Sequence, residues 1–108
     1  MIMRYWRGWT TPGNADAYDA IVSTEVLPGI AARGVEGYHG SYLLRRDVGD
    51  EVEFATIMLF ESLDAVRAFA GADYDLAYVP PRARAVLSRF DERSAHYETL
   101  LTPELTVS

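Results

Sequence analysis

The chain has 108 residues, a net charge of −6 and a pI of about 4.7, which fits one acidic domain and argues against nonspecific binding to nucleic acid or an anionic membrane. It has no Cys, so disulfides, thiolate nucleophiles and Fe–S ligation are excluded. All ten basic residues are Arg, which removes the lysine of PLP chemistry and the lysine of P-loop or kinase phosphoryl transfer.

Residues 2–10 alternate aromatic, Arg and apolar side chains, with Tyr5, Trp6 and Trp9, and predict a first strand. Thr11-Pro12-Gly13-Asn14 punctuates the chain, and Asn14 is a candidate N-cap with Asp16 near the positive end of the helix dipole. Tyr18, Ile21, Val22 and Val26 follow a helical rhythm, so an amphipathic helix is expected to end near Pro28-Gly29. Residues 34–37 form a turn region. A second strand over residues 38–46 leads through Asp47-Val48-Gly49-Asp50, which carries hairpin chemistry, into the third.

The third strand centres on FATIMLF, residues 54–60. Successive side chains of a strand point to opposite faces, and here both sets are apolar: Phe54, Met58 and Phe60 against Ala55, Ile57 and Leu59. Such a strand calls for cover on both sides. Ser62 is a good N-cap for a second helix, with Val66, Phe69 and Ala70 as its stripe and Gly71 at its end. A short helical turn over 72–78, a further helix over 82–89 after Pro80-Pro81, and a last strand over 90–101 complete the domain, assigned to residues 1–101. Residues 102–108, with Pro103, are expected to form a tail.

The order β-α-β-β-α-β is the ferredoxin-like arrangement, an α+β fold with both helices on one face of an antiparallel sheet. The bare face then needs a partner, and two such sheets packed face to face give a homodimeric α+β barrel. No run is long and apolar enough to span a bilayer, the first ten residues lack the apolar stretch of a signal peptide, and a cytoplasmic location is expected.

His39 and His96 are the only histidines. On the second and fourth strands, the two sheet edges, they stand about 14 Å apart, too far to share one metal. HExxH and helical ligand spacings are absent, so no metal site is expected. GxSxG is absent as well, and Arg82, Arg84, Arg89 and Arg93, interrupted by Asp91 and Glu92, read as a salt-bridged face. Trp6 on a central strand points under the helices with its parity mates Arg4 and Gly8, and Arg4 could orient an anionic or carbonyl group. Tyr38, Phe60 and Phe69 are the candidate pocket aromatics, competing with core packing for the same residues.

The stretches RYWRGW, FESLDAVRAFAG and SAHYETL, within residues 3–100, resemble the antibiotic biosynthesis monooxygenase superfamily of small dimeric α+β barrels, and most of all its members with AFAG and HYE pieces. The resemblance implies the ferredoxin-like fold and the homodimer. It also implies a monooxygenase-like oxidoreductase site, acting on or binding a small aromatic or hydrophobic molecule. Cofactor-free members oxidise electron-rich polycyclic phenols that themselves supply electrons to oxygen, so no cofactor is expected, and His96, Trp6 and Arg4 are the catalytic candidates. Heme-degrading members use an Asn/Trp/His trio. Here no Asn falls in a strand, and Phe60 stands where many relatives have Trp, so heme degradation is not expected. A non-catalytic ligand-binding or scaffolding dimer is the alternative.

Overall fold

The computed structural model describes residues 1–103. The strands are β1 (Ile2–Thr10), β2 (Tyr38–Val48), β3 (Glu51–Phe60), β4 (Arg89–Phe90) and β5 (Ala95–Glu98). The sheet order is β2-β3-β1, with β4 and β5 both on the far edge of β1, and every pairing is antiparallel. This is the expected ferredoxin-like α+β topology with its fourth strand in two pieces. The hairpin between β2 and β3 turns on Gly49 and Asp50; Gly49 takes φ 72°, a conformation open to glycine at little cost.

The helices are α1 (Ala15–Ile21), α2 (Leu27–Ala32), α3 (Leu63–Ala70) and α4 (Pro81–Val86). The first helical run does not stop at Pro28-Gly29. A π-helical turn over Val22–Val26 joins α1 to α2, and the Leu27 N–H reaches back five residues to the Val22 carbonyl. Pro28 has no N–H and its ring crowds the carbonyl four residues earlier, so a widened turn just before it lets the helix continue. Asn14 does not cap α1 with its side chain; its amide donates instead to the Val86 carbonyl at 3.4 Å, tying α1 to α4. Ser62 does cap α3, accepting from the Ala65 N–H at 3.2 Å.

Two expected elements differ. Residues 72–78 form no helix but a single turn, in which the Leu76 N–H donates to the Asp73 carbonyl at 3.1 Å, and the last strand is broken between Phe90 and Ala95. The two departures have one cause. The break turns residues 92–94 outward to pair with the preceding segment, where Leu76 bridges Arg93, Ala77 donates to the Glu92 carbonyl (2.9 Å) and Ser94 to that of Asp75 (2.6 Å). Arg93 then grips Asp73 and Asp75 at 2.8 and 2.7 Å. Residues 71–80 thus form an irregular strap laid along the edge of the sheet.

Register assigns the faces. Arg4, Trp6 and Gly8 on β1 stand beside Met58, Thr56 and Phe54 on β3, facing the helices. The core lies there in two clusters, one around Tyr18, Val22 and Phe54, the other around Phe60, Val66 and Phe69. The opposite face carries no helix. Across it run the rows Tyr42–Ile57–Tyr5–Ala95 and Gly40–Leu59–Met3–Tyr97, and Tyr42, Leu44 and Tyr97 are each about half exposed. At one end of this face Trp9 is shielded by the guanidiniums of Arg7 and Arg89, 5.1 and 3.9 Å from its ring.

Candidate functional site

A slot opens between the helix-facing side of the sheet and the first helical run. Arg4, Trp6, Thr56 and Met58 form its floor, Tyr18, Val22, Val26 and Ile30 one wall, and Tyr78, Val79 and Pro80 of the strap its roof. Its cavity is only about 50 Å³, within about 520 Å³ of empty space that includes the open mouth. The slot is therefore narrow. The π-turn residues Val22 and Val26 line it, and such turns recur at functional sites because they displace side chains from a regular helical register.

Trp6 has its indole ring fixed at both ends. Nε1–H donates to the Asp91 carbonyl at 2.6 Å, in the break between β4 and β5. The ring lies back over Gly8, where an added Cβ would come within 2.7 Å of Trp6 Cη2 and 3.0 Å of Leu87 Cδ2. Gly8 is thus required for close approach rather than for backbone conformation.

Arg4 is 2 % exposed. Its Nη1 donates to the Tyr74 carbonyl and meets His96 Nε2 at 3.0 Å, while Nη2 donates to the Leu76 carbonyl at 2.8 Å. The Phe69 ring lies 5.6 Å from the guanidinium. Burial pulls its pKa below the ordinary value, partly offset by the more distant Asp75. Among the described residues no carboxylate pairs with Arg4, and Asp75 is held by Arg93. Arg4 thus latches the strap to the sheet through neutral partners.

His96 joins Arg4 but not the slot. Its Nε2 faces a donor that cannot accept, so the lone pair sits on Nε2 and the ring is neutral. Burial and then the Arg4 charge push its pKa down from 6.5. A histidine with a depressed folded-state pKa contributes stability that is complete above its unfolded pKa and is lost as pH falls below it, because the unfolded chain takes the proton first. Urea midpoints compared with His96→Gln, which keeps an acceptor for Arg4, are expected to diverge below pH about 6.5, with the wild type losing more stability. Parallel curves would show that His96 titrates alike in both states.

The remaining sequence candidates lie elsewhere. Phe60 is fully buried in the second core cluster, 5.5 Å from Tyr38 and 5.6 Å from Phe69. Tyr38 spends its hydroxyl on Ser41 at 2.6 Å, and none of these three aromatics lines the slot. His39 is on the far edge strand beside Glu61 at 3.0 Å. Sequence reasoning missed Tyr18 and the π-turn as slot walls; Pro28 inside a helical pattern was the available signal for the latter. The four C-terminal arginines are engaged as a surface face: Arg82 with Glu25, Arg89 with Glu51, Arg93 with two Asp residues, and Arg84 over Phe90.

The fold is that of the small antibiotic-biosynthesis-monooxygenase-type α+β proteins. A Bacillus cereus protein named as an antibiotic biosynthesis monooxygenase superposes with a TM-score of 0.66 at 16% identity, over 99% of this chain and 98% of its own. The heme-degrader MhuD of Mycobacterium tuberculosis, with two hemes bound in its active site, gives 0.63 at 19% identity, over 96% and 100%. SnoaB of Streptomyces nogalater, a cofactor-independent oxygenase, gives 0.59 at 21% identity, over 95% and 98%. At these identities the likeness carries the fold, and function has to be argued from the site. No protein-family model matches the chain, and a comparison with curated proteins gives no match.

Proposed function

We propose that the chain is a homodimeric, cofactor-independent monooxygenase-like protein whose slot takes a small aromatic molecule. The observation that carries this reading is the slot itself, a narrow apolar crevice with a fixed indole and a buried guanidinium on its floor. The bare, apolar sheet face supports the dimer, since it is the kind of surface that two identical sheets cover for each other. The structural likeness to the cofactor-independent oxygenase SnoaB supports the reaction class.

In such a reaction the electron-rich phenol itself supplies the electrons. Its O–H and one ring C–H break, a new C=O forms at that ring carbon with one atom of O₂, and the second oxygen leaves as water with the two hydrogens. The protein must hold the ring and favour the electron-rich anion that reacts with oxygen. Trp6 provides the flat wall, and the positive charge of Arg4 stabilises the developing anion. His96 acts through Arg4, holding the guanidinium in place rather than meeting the substrate.

A heme does not fit this site. The slot has too little room for the breadth of a porphyrin, and the imidazole nearest to it has its Nε2 on Arg4. Hemin is expected to leave the Soret band unshifted.

Oxygen uptake with single-ring hydroxylated aromatics, followed by product mass, tests the proposal. Trp6→Phe removes the bond to Asp91 and part of the wall, and kcat/KM is expected to fall by about tenfold or more. Unchanged turnover would remove Trp6 from the mechanism. Binding without any oxygen consumption would favour the second reading, a non-catalytic ligand-binding dimer, which the narrowness of the slot also accommodates.

A further inference from the structure

A guanidinium has five N–H donors. Three of those of Arg4 are used, two on Nη1 by the Tyr74 carbonyl and His96 and one on Nη2 by the Leu76 carbonyl. The Nε–H and the second N–H of Nη2 have no partner among the described residues. These belong to the two nitrogens that together grip a carboxylate side-on. Arg4 lines the slot, is 2 % exposed and has no carboxylate to neutralise it, in a chain that is otherwise strongly acidic. A buried charge with neutral partners and donors to spare is costly for a residue that only latches a strap, because an uncharged donor could serve the same carbonyls. We propose that the slot is a binding site for a single-ring or similarly slim carboxylic acid, its carboxylate held by the remaining donors of Arg4 and its apolar body lying against Trp6.

The narrowness of the slot sets the size of the body, and the strap sets the way in. Tyr78, Val79 and Pro80 roof the slot, and the same guanidinium binds the strap at Tyr74 and Leu76, so a carboxylate on Arg4 closes the ligand in beneath its own anchor. This inference rests on the proposed function for the location of the site and adds the charge of the ligand.

Benzoate and benzamide test it, having nearly the same shape and differing in charge. Each is titrated into the full-length protein while the indole N–H resonance of Trp6, assigned with Trp6→Phe, is followed. Benzoate is expected to bind at least about tenfold more tightly than benzamide, to shift the Trp6 resonance and to weaken with added salt. Arg4→Gln is expected to abolish the preference. Should that variant fail to fold, the wild-type comparison decides alone. Benzoate binding no tighter than benzamide, benzoate leaving the Trp6 resonance unmoved, or no binding of either at millimolar concentration would overturn the proposal. The oxygenase reading fails separately: benzoate bound in a protein that consumes oxygen with no phenol leaves the anchor standing, whereas neutral phenols oxidised by a protein indifferent to benzoate remove only the anchor.

Discussion

Ile57→Asp is expected to turn a dimer into a monomer. Ile57 lies at the centre of the helix-free face, in register between Tyr5 on β1 and Tyr42 on β2. With Leu59, Met3, Leu44 and Tyr97 these residues make a continuous apolar surface on three adjacent strands and the edge. A carboxylate there would be desolvated in a dimer with no cation opposite Ile57 in the sheet. Disrupting the centre of such an interface costs about 2–4 kcal/mol, which weakens association roughly 30- to 1,000-fold. Sedimentation of the wild type at micromolar concentration is expected to give the mass of two chains, and the variant that of one with its far-UV spectrum intact. A wild type that sediments as a single chain would mean that this face meets some other surface, and the barrel proposal would fall with it.

Phe60→Ala is expected to produce the largest loss of stability. Phe60 is wholly buried between Tyr38 and Phe69, beneath α3. Removing a buried phenyl ring costs about 3–5 kcal/mol, and a domain of this size loses about 4–8 °C of Tm per kcal/mol, so a fall of roughly 12–40 °C is expected. The melts must be compared at one protein concentration, because association raises Tm. A fall of only a few degrees would instead make Phe60 part of a ligand wall, as its sequence context first suggests. The contrast with Trp6→Phe is informative: one variant should lower Tm and the other should lower ligand affinity.

What the residues declare locally is what the sequence reads well. Apolar runs of period 2, the Gly49-Asp50 turn and the Ser62 cap each act over a few residues, and from them the strand order, the hairpin and the ferredoxin-like topology follow. The parity of β1 also placed Arg4 and Trp6 on the helix side, since a strand offers only two faces.

The rest depended on contacts between residues far apart in the chain. Pro28 inside the helical pattern marks a disturbance there, but local sequence does not choose between a stop and a π-turn; packing of Val22 and Val26 against the sheet favours the longer helix over a stop. The break in the last strand exists because the strap claims residues 92–94, a pairing decided across some 20 residues. Phe60 and Trp6 are both large aromatics on helix-facing positions, and no local signal separates a filled core from a slot beside it. That difference arises where the strap, α1 and the sheet fail to close completely. Composition and periodicity thus determined the elements and their order, because secondary structure answers to neighbours in sequence. Which of these side chains border a cavity was decided by tertiary structure, because a cavity and a buried charge are properties of what comes together around them.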